Sequence, residues 1–147
     1  MVIDLNNSLG YLVNHAARTL VNGLSKNFAE AGWDVTAEQW RVLVNLWDKD
    51  GRTQQELSQA TGKKKTSITR LIHGMEKRNL VVRVPDQRDR RQNLIYLTRK
   101  GRELQNDLMV LAKQTLAQAQ AGIKARDLDV CKEVLRRVIN NFRPAPD

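Results

Sequence analysis

Cysteine is almost absent from this chain of 147 residues, which contains only Cys131. A lone cysteine cannot form a disulfide within the chain, and together with two histidines it gives too few ligands for a four-coordinate zinc site. The sequence also lacks the run of about 18 apolar residues that a transmembrane helix needs, and its N-terminus lacks the pattern of a secretory signal. These absences predict a cytoplasmic protein that binds no metal, no cofactor and no membrane.

Motifs typical of enzymes are missing as well. The sequence has no glycine-rich phosphate loop, no pair of histidines at metal-binding spacing and no nucleophile elbow. Its scattered carboxylates are expected in any soluble protein. We therefore expect no catalytic residues and do not favour an enzyme.

Positive charge is concentrated in one part of the sequence. Residues 61–103 contain thirteen lysines and arginines but only four acidic residues, and this segment accounts for the whole net charge of +9. In the rest of the chain the charges cancel. A neutral body with one basic segment is typical of a protein that binds a polyanion.

The two ends of the chain show the apolar periodicity of amphipathic helices. Apolar side chains recur at three- and four-residue steps over residues 8–31 and again over 102–143, where Gly122 interrupts the pattern. Thr98 caps the start of the second of these segments. Both segments are more apolar than one small core requires, so we expect them to pair with a second copy of the chain in a homodimer.

Residues 36–98, in the middle of the sequence, predict helices joined by a tight turn. Capping boxes at Thr36 and Thr53 start two helices. A Thr-Gly turn then leads to a helix over residues 64–78, whose apolar side chains fall on one face. A short helix, a tight turn and a second helix are the order of a helix-turn-helix.

The period then changes to that of strands. Leu80–Val84 and Asn93–Leu97 are rich in β-branched residues, and an arginine-rich polar segment joins them. This pattern predicts a two-stranded hairpin, or wing. The predicted fold is mainly α with a small β-hairpin wing: one winged helix-turn-helix domain over residues 1–147, with N- and C-terminal dimerisation helices.

The helix over residues 64–78 and the wing are the candidate contacts with double-stranded DNA. The second helix of a helix-turn-helix lies in the major groove, and an arginine on a thin β-loop reaches the minor groove. Helix capping remains an alternative role for Thr66 and Ser67. Asp89, among the wing arginines, would pair with one of them and hold the loop in one shape. The candidate DNA-binding residues are Lys64, Lys65, Thr66, Ser67, Thr69, Arg70, His73, Arg88, Arg90 and Arg91.

Four stretches of this sequence resemble the MarR (multiple antibiotic resistance regulator) family. They are Leu57-Ser-Gln-Ala-Thr-Gly, the run Thr66–Arg83, Asp89-Arg-Arg and Leu97-Thr-Arg-Lys-Gly. The resemblance implies a homodimeric transcriptional regulator, more often a repressor than an activator. It also implies binding to pseudo-palindromic operators and release of DNA by a small aromatic or phenolic acid.

Individual roles follow from the same resemblance. It implies that Asp89 braces the wing and that Arg91 lies at its minor-groove tip. The sequence departs from the family at Asn79, where glycine is usual. Next to glycine itself, asparagine is the residue type that best tolerates the left-handed backbone conformation. We therefore expect the helix to end normally at Asn79.

The resemblance further implies an effector pocket between the dimerisation helices and the DNA-binding lobe. The candidate ligand-binding residues are Tyr11, His15, Thr36 and Trp40. Ordinary structural roles compete with this one, since Thr36 is already a helix cap and the histidine lies on a largely apolar helix. Cys131 is in phase with apolar neighbours and is predicted to be buried and without a redox role.

One alternative of a different class stays open at this point. A winged helix without operator specificity would bind RNA or another protein. The basic wing tip argues against a purely protein-binding role but is compatible with RNA.

Overall fold

The computed structural model describes residues 2 and 4–144, and it confirms the predicted fold class. The helices are α1 (Leu9–Glu30), α2 (Ala37–Asp48), α3 (Gln54–Thr61), α4 (Lys65–Lys77), α5 (Arg99–Glu103), α6 (Gln105–Ala119) and α7 (Ala125–Asn141). The strands are β1 (Arg52–Thr53), β2 (Val81–Pro85) and β3 (Asn93–Leu97), and a 3-10 helix, Leu5–Asn7, precedes α1. No helix of the described residues is both long enough and apolar enough to cross a membrane.

Both predicted capping boxes are present. The Thr36 hydroxyl accepts a hydrogen bond from the Gln39 backbone N–H at 3.2 Å, and the Gln39 side chain accepts one in return from the Thr36 backbone. Thr53 and Glu56 make the same exchange at the start of α3. These bonds satisfy N–H groups that the first turn of a helix leaves unpaired, and they fix where α2 and α3 begin.

The sheet has one strand more than the hairpin predicted from sequence. Its order is β1-β3-β2, antiparallel throughout, with Arg52 opposite Ile95 and Val82 opposite Tyr96. The prediction missed β1 because two residues are too few to show a period of two. The first wing strand also begins one residue later than predicted, at Val81.

The core lies between α2, α3, α4 and the inner face of the sheet. Phe28 from α1 and Leu108 from α6 complete it, and both are fully buried. Thr98 caps the next helix as predicted, by accepting from the Gly101 N–H. The long helix predicted after this cap is divided at Leu104 into α5 and α6.

The chain divides into two compact units within α6, between Thr115 and Leu116. In the first unit, Leu9, Leu12 and Leu20 of α1 are each about half exposed. In the second, α7 has no buried residue. The prediction that Cys131 is buried is therefore wrong for the single chain, in which the thiol is exposed. The apolar face of α7 that carries Cys131 does not pack against other residues of the second unit closely enough to be buried.

Candidate nucleic-acid interface

Helix α4 presents one buried and one exposed face. Ile68, Ile72 and Met75 are fully buried, and this anchors the helix against the core. The turn before it is held by the Ser58 hydroxyl, which donates to the Lys63 carbonyl, and by Gly62 in the left-handed conformation (φ 70°). This anchoring fixes which side chains face outward.

The outward face carries the predicted major-groove residues. Lys64 takes the N-cap position, so Thr66 and Ser67 lie within the first turn of α4 and not at its cap. Thr69 donates to the Lys65 carbonyl at 2.9 Å. All seven predicted residues are exposed: Lys64, Lys65, Thr66, Ser67, Thr69, Arg70 and His73.

The far end of α4 closes on Asn79, which has the predicted left-handed conformation (φ 59°). Its carbonyl accepts a hydrogen bond from the Thr98 hydroxyl at 2.6 Å. The Arg83 guanidinium pairs with the Glu76 carboxylate at 2.7 Å and thereby ties β2 to the last turn of α4. The wing is thus attached to the helix that it follows.

Two aspartates shape the tip of the wing, and the first of them was not predicted from sequence. One Asp86 carboxylate oxygen accepts from the Arg88 backbone N–H at 2.9 Å, and the other accepts from the Gln92 side-chain amide at 2.8 Å. The Arg88 N–H, followed by the Gln92 amide, lowers the pKa of Asp86 below its ordinary value. The lowered pKa keeps the carboxylate ionised to a lower pH than that of an ordinary aspartate, and in this form it holds both ends of the loop.

Asp89 repeats this arrangement three residues later. Its Oδ1 accepts from both the backbone N–H and the Nε of Arg91, each at 3.1 Å. These contacts fit the bracing role predicted for Asp89. The sequence did contain a signal for Asp86, because Asp86-Gln-Arg88 and Asp89-Arg-Arg91 have the same Asp-x-Arg spacing.

The arginines at the tip point their charge away from the protein. Arg88, Arg90 and Arg91 are all exposed, and the Arg91 side chain is 92% exposed although it contacts Asp89. In the described residues Arg88 and Arg90 form no ion pair. A thin loop with projecting guanidinium groups has the shape and charge that entry into a minor groove requires.

Close packing at Gly101 fixes the root of the wing. A Cβ atom on this residue would lie 2.3 Å from the Leu80 carbonyl oxygen, which only glycine avoids. The same Leu80 oxygen accepts from the Thr98 N–H at 3.0 Å, and the Gly101 carbonyl accepts from the Trp47 indole N–H at 2.9 Å. The Leu-Thr-x-x-Gly motif is therefore a junction between the wing, α5 and α2.

Asp50 adds a further bond at this junction. Its Oδ1 accepts from the Leu97 N–H at 2.9 Å and from the Gly51 N–H at 3.1 Å. The side chain of Arg102 donates to the Leu97 carbonyl at 3.3 Å. The last residue of β3 is thus held at both its N–H and its carbonyl.

The predicted ligand-binding residues lie in two pairs, one on α1 and one at the start of α2. Tyr11 and His15 are exposed on α1 with ring centroids 5.6 Å apart, whereas Thr36 serves as the cap of α2. Trp40 packs with its ring centroid 6.4 Å from that of Phe28. No hydrogen bond or ring contact of the described residues joins the α1 pair to the α2 pair.

Comparison with protein families and with known proteins agrees with this geometry. Residues 33–92 match the model of the MarR family, a range that covers the helix-turn-helix and most of the wing. The transcriptional regulator HosA of Escherichia coli is 24% identical over 107 residues, which is 73% of this chain and 79% of HosA.

Two solved structures share the fold over nearly the whole chain. BpsR of Bordetella bronchiseptica, whose DNA binding is regulated by 6-hydroxynicotinic acid, has a TM-score of 0.84 at 22% identity, covering 94% of this chain and 97% of BpsR. CouR of Rhodococcus jostii RHA1, solved with p-coumaroyl-CoA, has a TM-score of 0.78 at 21% identity, covering 99% of this chain and all of CouR. The family match of residues 33–92, the motifs and the winged-helix fold together support a winged-helix transcriptional regulator of the MarR family.

Proposed function

We propose that the chain is a sequence-specific regulator that binds double-stranded DNA as a homodimer and represses transcription at pseudo-palindromic operators. In this proposal each α4 lies in a major groove and each wing grips the neighbouring minor groove. The contacting residues are those on the outward face of α4, from Lys64 to His73, and Arg88, Arg90 and Arg91 at the wing tip. Asp89 keeps the tip in its DNA-binding shape.

The distribution of unpaired cations carries this proposal. Of the thirteen lysines and arginines in residues 61–103, six form ion pairs in the described residues: Lys63, Arg78, Arg83, Arg91, Arg99 and Arg102. Five of the other seven, Lys64, Lys65, Arg70, Arg88 and Arg90, all belong to the predicted DNA surface. Charges without a protein partner are available to phosphates. Arg91 pairs with Asp89, but its side chain is 92% exposed and also remains accessible to DNA.

The length of α4 also supports the proposal that this helix lies in a major groove. Its 13 residues make a helix about 20 Å long, anchored on one face and polar on the other. A major groove about 12 Å wide admits such a helix, and its N-terminal end carries the hydroxyls and Arg70 that read base edges. Arg70 reaches the O6 and N7 atoms of guanine, while Thr66, Ser67 and Thr69 bond phosphates or bases.

The homodimer is supported by apolar surface that each unit leaves open. Leu9, Leu12 and Leu20 of α1 are exposed in the first unit, as are Val130 and Val134 of α7 in the second. Pairing with a second chain would remove this surface from water. A two-fold dimer sets the half-sites about one helical turn of DNA apart, near 34 Å.

We further propose that a small aromatic acid releases the DNA, in line with the 6-hydroxynicotinic acid named for BpsR. The molecule named for CouR, p-coumaroyl-CoA, carries an aromatic acyl group as a thioester. Tyr11, His15, Thr36 and Trp40 remain the candidates that the sequence suggested for its site. A cytoplasmic location and the absence of catalytic activity complete the proposed function.

Steep salt dependence is expected for DNA binding. A dimer that neutralises about six phosphates should lose about a thousandfold in affinity between 50 mM and 200 mM salt. Fluorescence anisotropy with a labelled duplex at several salt concentrations measures this slope. An affinity that does not change over this range would contradict the proposal and favour a protein partner. Equal salt dependence of the affinity for duplex DNA and for single-stranded RNA would favour an RNA-binding module.

A further inference from the structure

The side chain of Gln54 lies at the contact between α3 and α4. It shares a face of α3 with Leu57 and Ser58, of which the first is fully buried and the second bonds the turn before α4. The Oε1 atom of Gln54 lies 3.5 Å from the hydroxyl of Thr69, which is exposed on α4. Gln54 therefore contacts one of the side chains that face DNA in the proposed function.

The amide nitrogen of the same side chain has no partner among the described residues. This Nε2 atom of Gln54 is buried and makes no hydrogen bond there. A buried donor without an acceptor lowers the stability of a fold, and an apolar side chain of similar shape removes that cost. Stability alone would therefore favour methionine over glutamine at this position, so the amide serves another purpose.

The Thr69 hydroxyl has a single proton and two acceptors on the protein. It donates to the Lys65 carbonyl, one turn earlier in α4, at 2.9 Å, and Oε1 of Gln54 is the second acceptor at 3.5 Å. Whichever acceptor takes the proton, none is left for DNA, and the hydroxyl presents only its lone pairs. Thr69 therefore offers an approaching base an acceptor and no donor.

We propose that Thr69 reads the amino group of adenine or cytosine, and that Gln54 is the positioning residue that keeps its hydroxyl in the accepting state. In the major groove the N6 group of adenine and the N4 group of cytosine are the donors, whereas guanine and thymine present acceptors. The neighbouring Arg70 can only donate, so the two side chains select bases of opposite hydrogen-bonding type. This assignment rests on the proposed function, because it names a base that the same surface of α4 recognises.

The cost of the Gln54 amide is measured without DNA. Gln54→Met replaces the unpaired donor by an apolar side chain of similar length, so the urea midpoint of the full chain should rise by about 0.4 M at a fixed protein concentration. Gln59→Met makes the same change at an exposed position of the same helix and should shift the midpoint by less than about 0.2 M. A midpoint of Gln54→Met at or below that of the unaltered chain would overturn the proposal, because stability would then explain the amide.

The base that Thr69 reads is found by selection from random duplex DNA with the unaltered chain and with Thr69→Val. Valine keeps the shape but removes the hydroxyl, so one position of each half-site should lose its preference. Replacing the base with the amino group at this position by purine (for adenine) or 2-pyrimidinone (for cytosine) should weaken binding of the unaltered chain by about tenfold, since two half-sites each lose a hydrogen bond. Thr69→Val should bind both duplexes equally. Equal binding of both by the unaltered chain would refute the accepting role.

The role of Gln54 is measured with the same two duplexes. Gln54→Met leaves the hydroxyl one acceptor instead of two, so its proton can turn outward, and the tenfold preference should fall to about threefold or less. Affinity for an unrelated duplex should not change, because phosphate contacts are not altered. Gln59→Met should keep the full preference, and Gln54→Met should add nothing to Thr69→Val, because it acts through the hydroxyl.

Full preference in Gln54→Met, or a further loss when it is added to Thr69→Val, would show that Gln54 does not act through Thr69 and would overturn its positioning role. An operator that is enriched equally by the unaltered chain and by Thr69→Val would refute this assignment alone. No enrichment of any sequence by the unaltered chain would refute the proposed function, and the assignment with it.

Discussion

Replacing Gly101 with alanine is expected to destabilise the DNA-binding lobe by about 3 kcal/mol, the largest loss that we predict for a single methyl group. The new Cβ would lie 2.3 Å from the Leu80 carbonyl oxygen and 3.2 Å from a Leu97 methyl carbon. The carbonyl has little freedom to move, because the backbone N–H and the hydroxyl of Thr98 both bond to it. Relief of the clash must therefore displace α5 and break the bond from Trp47 to the Gly101 carbonyl.

Urea unfolding at a fixed protein concentration measures this effect, since a homodimer's stability depends on concentration. Gly74→Ala is the matched control, because it adds the same methyl group to a helix of the same lobe. The nearest atom to its Cβ would be the Gln39 amide nitrogen at 3.6 Å, an ordinary contact. That variant should gain about 0.5–1 kcal/mol from helix propensity. Equal unfolding midpoints for the two variants would contradict the account of the junction.

Arg91→Ala is expected to weaken operator binding by about a hundredfold. The Arg91 side chain is almost fully exposed at the wing tip, and Asp89 fixes its direction through two hydrogen bonds. Each charge-assisted contact with DNA contributes about 1.5 kcal/mol, and a dimer loses two of them, which corresponds to about a hundredfold. The loss should be nearly the same for different operator sequences with equally narrow minor grooves.

A gel-shift titration with one operator duplex measures this loss. Arg91→Lys keeps the charge but not the planar guanidinium held by Asp89, so its affinity should fall between those of the alanine variant and the unaltered chain. Arg41→Ala removes an exposed arginine of α2 outside the proposed surface and should have little effect. If Arg91→Ala bound within twofold of the unaltered chain, the proposed role of the wing would be wrong.

The sequence predicted most of the fold because its signals are local. The capping boxes at Thr36 and Thr53, the left-handed Asn79 and the hydroxyl cap at Thr98 each depend on residues within a few positions of one another. The outward face of α4 followed from helical periodicity alone. Exposure of its seven predicted residues needed only a correct helix register.

Features that depend on distant parts of the chain were missed. Strand β1 forms because Arg52 and Thr53 pair with β3, about forty residues later in the chain. A segment of two residues is too short to show a strand pattern in the sequence. The close approach of Gly101 to Leu80 and the bond from Trp47 are likewise contacts between segments far apart in sequence. The exposure of Cys131 was missed because periodicity identifies an apolar face but not whether its cover lies in the same chain.

For the candidate site, the sequence predicted the residue types. It did not predict which of the charged residues stabilise the fold and which are free to contact DNA. Thirteen cations in one segment indicated a polyanion partner. The ion pairs of Arg78 with Asp34 and of Arg83 with Glu76, seen in the structure, show that some of these charges stabilise the fold. The sequence did not predict the role of Asp86, which holds the wing tip through hydrogen bonds that also lower its pKa. Its partners are a backbone N–H and a side-chain amide, and neither is a charged group that the sequence would indicate.

Selection of bound sequences from random duplex DNA tests the central claim most directly. Two copies of α4 in successive major grooves, related by a two-fold axis, should enrich an inverted repeat whose half-sites are centred about 10 base pairs apart. The enriched half-site should change when Arg70, the arginine of the reading face, is replaced by alanine. No enrichment of any sequence, or enrichment of a single site without inverted symmetry, would contradict the account of a dimeric, sequence-specific regulator.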